Sequence, residues 1–284
     1  MTTQDTTEDA RRVSRNLDAV VVRLSDSVTI IHGDCRDVLP VECDAVVTDP
    51  PYGVTDHEWD KVIPAVEWMR AACCVATASE PFATVLIGQA PLPFRFDCVW
   101  VKNCCSNAMN AKRMPLRRHE RVLIFGDYAW NPKKRERTPD EMKRLNKRQR
   151  ETMRFATPDT VLEFDSVNCR SGERTEHPSQ KPVELMRYLV DTFTTGTVCD
   201  PFMGSGTTGL ACIRTGRKFI GIEKDARFFE TARKRLEAEL MQGTFDFCGG
   251  AVAPTHNAAG DFPAVAGKVH RLVRSSESTK GECR

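Results

Sequence analysis

No run in this 284-residue sequence is apolar for long enough to cross a membrane, and the polar, mixed-charge opening from Met1 to Arg12 lacks the hydrophobic core of a secretory leader. A cytoplasmic protein with no membrane partner is the expectation. Net charge is also scarce: a formal +2 cannot by itself demand a polyanionic partner, so only the distribution of charge carries information. The twelve cysteines lack any Cys-x-x-Cys pair, and several lie in apolar runs such as Cys98-Val99-Trp100-Val101. That spacing argues against zinc and disulfide frameworks and for buried free thiols in a reducing compartment, so no metal is expected.

What is present centres on Asp49-Pro50-Pro51-Tyr52, which follows the apolar run Asp44-Ala45-Val46-Val47-Thr48. The run reads as a short buried strand, and two successive prolines cannot extend a sheet ladder, so the chain must leave the sheet at Asp49. A carboxylate, a carbonyl and an aromatic ring are thereby presented at a strand's carboxyl edge, where open α/β sheets bind ligands.

The chain is long enough for one α/β domain with insertions. Residues 1–16 are expected to be unstructured. Strands follow at Val20-Val21-Val22 and Val28-Thr29-Ile30-Ile31, the second ending in the turn Gly33-Asp34-Cys35. Helical spacing is expected from Lys61 to about Ala76, and a buried strand over Phe82–Gly88. Asp97–Val101 and Arg121–Phe125 have no long helix between them, which predicts an antiparallel pair at a sheet edge. Val183–Phe193 has helical apolar spacing with Pro182 at its start. Beyond Gly243 no period is sustained, and a disordered tail over 243–284 is expected.

Positive charge is concentrated between Lys112 and Arg150, where 14 Lys or Arg face 5 Asp or Glu. The rest of the chain is therefore acidic on balance. Tyr128, Trp130 and Asn131-Pro132 interrupt the basic run, and Pro139 is expected to open a helix through Arg150. Such a block can be a solvated helix face; beside stackable rings it also suits a groove that tracks a phosphate backbone.

The second landmark is Asp200-Pro201-Phe202-Met203-Gly204-Ser205-Gly206-Thr207-Thr208-Gly209, between a strand at Thr197–Asp200 and a helix to about Arg214. Its G-x-G-x-x-G spacing is weak alone, but Glu223 stands 19 residues after Gly204 at the end of the next strand, Lys218–Ile222. An amphipathic helix from Asp225 to about Met241 follows. Together these point to a nucleoside-containing ligand, since glycine admits close backbone approach and Glu223 can accept from both ribose hydroxyls. A dinucleotide and S-adenosylmethionine both satisfy the pattern, and the first would make the protein a nicotinamide-dependent oxidoreductase.

In this order, with Asp-Pro-Pro-Tyr before the glycine-rich turn, the motifs resemble those of the β-class of amino-directed DNA methyltransferases. Matching features span roughly Thr29 to Leu240 and include Arg118-His119-Glu120 and His177-Pro178-Ser179-Gln180-Lys181-Pro182. Family members commonly carry Thr where this chain has Ser179. The resemblance implies a Rossmann-like α/β fold with a mostly parallel seven-stranded sheet and one antiparallel strand, permuted so that the cofactor half comes last. The methyltransferase domain would span 17–242, with a target-recognition insertion at about 126–165.

By the same resemblance the cofactor is S-adenosyl-L-methionine. Asp34 and Cys35 would hold its adenine, Asp200 and Lys181 would lie near its methionine part, and Phe202, Gly204, Ser205, Gly206 and Thr207 would line it, with Glu223 on the ribose. Asp49, Pro50, Pro51 and Tyr52 would be catalytic. Asp49 and the Pro50 carbonyl would accept the two hydrogens of an exocyclic amine while Tyr52 stacks on a flipped base of double-stranded DNA. Arg118, Lys133, Lys134 and Arg135 are the expected phosphate contacts. Methylation at cytosine C5 is disfavoured, because members that perform it carry their thiolate in a Pro-Cys pair and this chain has none. Adenine N6 is the preferred acceptor, with cytosine N4 as the alternative. A non-catalytic DNA-binding relative is a further reading, and a homodimer is carried over from relatives. All of this requires that Asp49 and the Phe202–Gly206 turn open into one cavity.

Overall fold

The protein is described by a computed structural model covering residues 19–54, 60–106, 111–167 and 171–248. The expected unstructured N-terminus, residues 1–16, lies outside the described residues. Strands are β1 (Val20–Arg23), β2 (Val28–His32), β3 (Ala45–Thr48), β4 (Cys73–Ala78), β5 (Phe94–Ser106), β6 (Arg117–Gly126), β7 (Arg135–Glu136), β8 (Phe155–Ala156), β9 (Val161–Glu163), β10 (Thr197–Asp200) and β11 (Lys218–Glu223). Helices are α1 (Cys35–Val38), α2 (Ala65–Trp68), α3 (Phe82–Gln89), α4 (Pro139–Lys143), α5 (Lys147–Thr152), α6 (Val183–Phe193), α7 (Thr207–Thr215) and α8 (Ala226–Cys248).

Nine strands form one sheet in the order β1-β2-β11-β10-β3-β4-β6-β5-β9, and β7 pairs with β8 apart from it. From β2 to β5 the arrangement is the expected one: seven strands, of which only β6 runs against the rest. Two further strands flank these seven: the expected strand at Val20-Val21-Val22 is β1, antiparallel on β2, and β9, which the sequence does not announce, runs parallel on β5. Apolar side chains fill both faces: Leu185, Leu189, Phe193, Leu210 and Leu236 on one, Trp68, Phe82, Leu86 and Leu123 on the other. The result is a helix–sheet–helix sandwich.

One feature of this order positions the site. β3 and β10 are parallel neighbours, with Val198 opposite Ala45 and Cys199 opposite Val46. The chain leaves β3 for β4 on one side and leaves β10 for β11 on the other. The crossovers diverge, and a crevice opens between the two strand ends, as at the switch point of any doubly wound sheet.

Two local expectations fail. The helix expected from Lys61 to Ala76 is a single turn, α2, followed by strand β4. Every residue of β4 is buried, so a strand covered on both faces shows no alternation to reveal it. The strand expected over Phe82–Gly88 is helix α3, which buries Phe82, Ala83 and Leu86 and exposes Thr84 and Val85. That is helical spacing within a run too short and apolar to reveal its period. Glu80 secures the start of α3 by accepting from both the backbone and the hydroxyl of Thr84. The helix expected from Pro139 to Arg150 is split into α4 and α5, because Asn146 caps a second start. α8 continues past Met241 to Cys248, so part of the expected tail is helical; residues 249–284 lie outside the described residues.

Candidate active site

Asp49 follows β3 directly and sits at the carboxyl edge. Three donors converge on its carboxylate: the Tyr52 hydroxyl and the Thr77 hydroxyl donate to Oδ1, each at 2.6 Å, and Lys181 Nζ donates to Oδ2 at 2.7 Å. Thr77 comes from β4, Tyr52 from the loop after the two prolines, and Lys181 from the segment that enters α6. The loop is pinned by the buried carboxylate of Asp60, which accepts from the backbone N–H groups of Tyr52, Gly53 and Val54 at 2.8, 3.1 and 2.9 Å. Gly53 has φ +68°, a conformation that turns the loop back toward Asp60 and that glycine adopts without strain. The Tyr52 ring stacks on Phe82 with centroids 5.4 Å apart. Burial first, then the Asp49 charge, pushes the Tyr52 hydroxyl above its ordinary range, so it remains a donor.

Lys181 is buried, and its ammonium lies between two carboxylates: Asp49 at 2.7 Å and Glu120 Oε2 at 3.5 Å. Burial alone would lower its pKa, but Asp49 and Glu120 together hold it above its ordinary value. Burial works likewise against ionised Glu120, which Lys181 and Lys102 hold below the usual range. Lys102 pairs with Glu120 Oε1, and Glu120 Oε2 is buried without a hydrogen-bonding partner.

Across the crevice, the turn between β10 and α7 is braced from within. Asp200 Oδ1 accepts from Thr48 at 2.6 Å and from the Phe202 N–H at 3.1 Å, and Oδ2 accepts from Thr208 at 2.6 Å. Burial pushes this carboxyl up to about 6 against those hydrogen bonds. The Thr48 contact ties the end of β3 to the end of β10. Glu223 accepts from Gly204 N–H and Asp225 N–H, both at 2.8 Å, and burial pushes it to about 6 as well. A carboxylate has about four lone-pair directions, so each Glu223 oxygen keeps one for a ligand. Gly204 and Gly206 have φ +53° and +81°, and a Cβ on Gly204 would come within 3.0 Å of His177 Nε2. The third glycine serves packing, since a Cβ on Gly209 would lie 2.7 Å from Leu236 and from Phe219.

Both sides open into one cavity of about 310 Å³. Asp49, Pro50, Pro51 and Tyr52 line it, as do Asp34, Cys35, Lys181, Asp200, Phe202, Gly204, Ser205, Thr207 and Glu223. Gly206 alone of the expected cofactor residues does not; it lies against Ala232 and lets the turn close on α8. Asp34 caps α1 and is held below the usual carboxylate range by a two-pronged bond from Arg36. Burial raises the Cys35 thiol to about 12, so it stays protonated. His177, against Phe228 at 4.4 Å, is kept neutral by burial, down to about 4.

Thr77, Glu120, Thr48, Thr208, Asp60 and His177 were not singled out as site residues in the sequence. Glu120, His177, Thr48 and Thr208 stand inside quoted stretches; Thr77 carries no signal, because most of its strand falls within the expected helix Lys61 to about Ala76. The expected phosphate contacts are dispersed. Arg118 is exposed on β6 beside the site, with its Nε donating to the Lys102 carbonyl at 3.1 Å. Lys133 pairs with Asp191 at 2.7 Å near the end of α6 away from Lys181, and Arg135 pairs with Glu141 at 2.7 Å. Lys134 is exposed. Among the described residues there is no cluster able to hold a metal and no helix long and apolar enough to cross a membrane.

Comparison with known proteins bears on this site. A family model described as DNA methylase matches residues 90–234. Type II methyltransferase M.HpaI of Haemophilus parainfluenzae is 29% identical over 222 residues, 69% of this chain and 69% of that protein. DNA adenine methyltransferase YhdJ of Escherichia coli (strain K12) is 26% identical over 249 residues, covering 75% and 84%. Among solved structures, PvuII DNA methyltransferase, described as cytosine-N4-specific, superposes with a TM-score of 0.51 at 16% identity, covering 80% of this chain and 94% of that one. At that identity the likeness is one of fold.

Proposed function

This chain belongs to the N6/N4 family of DNA methylases, and from that premise we propose that it moves a methyl group from S-adenosylmethionine to the N6 amino group of adenine in double-stranded DNA, the base being extruded from the duplex. The observation that carries the reading is that the Asp49 carboxylate and the glycine-rich turn line one cavity.

The cavity fits S-adenosylmethionine better than a dinucleotide. A pyrophosphate needs free backbone N–H groups along the glycine-rich turn and at the helix start, and four of those ahead of α7 are already donated: Phe202 to Asp200, Met203 to Ile222, Gly204 to Glu223 and Gly206 to Met203. The lining is also rich in carboxylates, Asp34, Asp49, Asp200 and Glu223, which suits a cation. Glu223 would take the ribose hydroxyls, Phe202 would pack on the cofactor, and Asp34 with the Cys35 backbone would hold the adenine. Asp200, with three protein donors, braces the turn near the methionine end rather than reaching for it. When bound, S-adenosylmethionine supplies an electrophilic methyl group on a positive sulfur.

The protein's part is to make a poor nucleophile attack. The exocyclic amine of adenine has its lone pair delocalised into the ring. Asp49 and the Pro50 carbonyl would accept its two hydrogens, favouring a pyramidal nitrogen whose lone pair faces the methyl group, and would stabilise the positive charge that grows there. The proton shed by the methylated nitrogen passes to Asp49 and on to water. Tyr52, backed by Phe82, offers an aromatic surface to the base, which must leave the stack to be reached.

Arg118 is the phosphate contact nearest the target. The pairs held by Lys133 and Arg135 are half-exposed, worth about 0–1 kcal/mol, and open to competition from phosphate. Lys133, paired with Asp191 near the end of α6 away from Lys181, would meet the backbone away from the flipped base. The homodimer is tested by sedimentation. For the reaction itself, DNA is incubated with methyl-labelled S-adenosylmethionine, digested to nucleosides and analysed by mass spectrometry. The expected product is N6-methyldeoxyadenosine; N4-methyldeoxycytidine would move the acceptor to cytosine, and unmodified DNA would refute methylation.

A further inference from the structure

Asp49 is crowded for a group that must receive a substrate. Of its roughly four lone-pair directions, three are taken, two by hydroxyls and one by the Lys181 ammonium. An amine donating to the fourth would share Oδ2 with a fixed positive charge. As the amine attacks, positive charge grows on its own nitrogen, so the two like charges repel most strongly at the transition state. The hydroxyls carry no such penalty. Lys181 is the donor that has to move, and a place for it exists: Glu120 Oε2, buried, without a hydrogen-bonding partner and 3.5 Å from Nζ.

We propose that Glu120 is a positioning residue of the reaction, which takes the Lys181 ammonium from Asp49 when the substrate amine arrives and returns it when the product leaves. The inference rests on the reading of Asp49 as the amine acceptor. Lys102 holds Glu120 Oε1 and packs 5.1 Å from the Trp100 ring centroid, so Glu120 is a fixed post to which a mobile ammonium moves. The displacement is short, and the ammonium is never without a carboxylate. Charge stays balanced throughout: in the empty site Lys181 neutralises Asp49, and in the loaded site the growing charge on the amine does so.

The test is Glu120→Gln, with Glu120→Asp and Asp49→Ala beside it, in the full-length protein. In Glu120→Gln the ammonium has Asp49 as its nearest carboxylate and competes with the amine. The expected fall in kcat is on the order of 100-fold, the size of losing one preorganised electrostatic contact, with KM for S-adenosylmethionine and for DNA unchanged. Groups facing Lys181 are Asp49, Glu120, the Tyr52 ring at 5.5 Å and neutral His177. Glu120 is one of the two carboxylates that hold Lys181 above its ordinary value, so without its charge Lys181 loses its proton at lower pH, and the variant's kcat climbs with rising pH where the wild-type profile is still flat. Glu120→Asp restores much of the activity at neutral pH.

Wild-type kcat and a flat profile in Glu120→Gln, with Asp49→Ala inactive, would overturn this inference and leave the reading of Asp49 standing. Turnover in Asp49→Ala would overturn both. Should Glu120→Gln fail to fold, the wild-type complex with target DNA and an unreactive cofactor analogue decides by crystallography. Lys181 Nζ within hydrogen-bond distance of Glu120 Oε2 and released from Asp49 is the expected result; Nζ still on Asp49, with the Tyr52 or Thr77 hydroxyl turned away instead, overturns the proposal.

Discussion

The two walls of the cavity are built in opposite ways. The glycine-rich wall comes from one continuous stretch, Asp200 to Thr208, with Glu223 on the adjacent strand, and the backbone N–H groups of Phe202, Met203, Gly204 and Gly206 are satisfied internally. It is a finished receptor that offers the spare lone pairs of one carboxylate. The Asp49 wall is gathered from residues 49, 52, 77, 120 and 181 and keeps its functional carboxylate occupied by two hydroxyls and an ammonium. One wall binds as it stands, whereas the other must exchange a partner before it can act. Damage to the first should therefore appear in cofactor affinity and damage to the second in turnover.

Glu223→Ala gives the largest separation. On the proposed assignment of Glu223 to the two ribose hydroxyls, its loss should weaken S-adenosylmethionine binding about 100-fold, at about 1.4 kcal/mol per charge-assisted hydrogen bond, while kcat at saturation changes little. Calorimetry and saturation kinetics read the two quantities. Thr77→Val breaks the other wall, removing one hydroxyl from Asp49 at nearly constant volume. Turnover should fall about 10-fold, the worth of one hydrogen bond of about 1.4 kcal/mol, with cofactor affinity unchanged.

The walls should also differ in response to acid. Glu223 sits at about 6 because burial disfavours its charge, and the proposed contact with both ribose hydroxyls requires it ionised. Cofactor affinity should then be flat above that pH and fall as pH drops below it, approaching about tenfold per pH unit. Unfolding is separable by thermal melts, since the site groups act on stability with mixed sign. The raised carboxyls of Glu223 and Asp200 favour the folded state as pH falls through about 6, whereas His177, held at about 4, opposes it as pH falls below its ordinary 6.5. The smallest effect concerns DNA: Arg118→Ala should lower the slope of log affinity against log salt by about 1, and Lys133→Ala by less. Equal slopes in the two variants would erase the distinction drawn between their positions.

The same contrast explains what could be read in the sequence. The cofactor wall is local, and its strand, turn, helix and acidic residue recur at fixed spacing, so every part except the bracing of Asp200 by Thr48 and Thr208 could be read in advance. The sheet was legible where strands end in punctuation, as at Asp49-Pro50-Pro51 and Gly33. β4 and α3 were not, because a fully buried strand and a short apolar helix both present unbroken small and apolar residues. Losing β4 also hid Thr77. Glu120 was visible as part of a motif, but its task depends on a lysine 61 positions later in the sequence, and only the folded chain brings the two together.

The most direct measurement is Asp49→Ala, followed by methyl transfer to DNA and by calorimetric titration with S-adenosylmethionine on the same preparation. Transfer lost by at least about 1,000-fold, the upper end for one preorganised group, with cofactor affinity near wild type, is the predicted result. Transfer at close to the wild-type rate would contradict the assignment of Asp49 as the acceptor of the attacking amine.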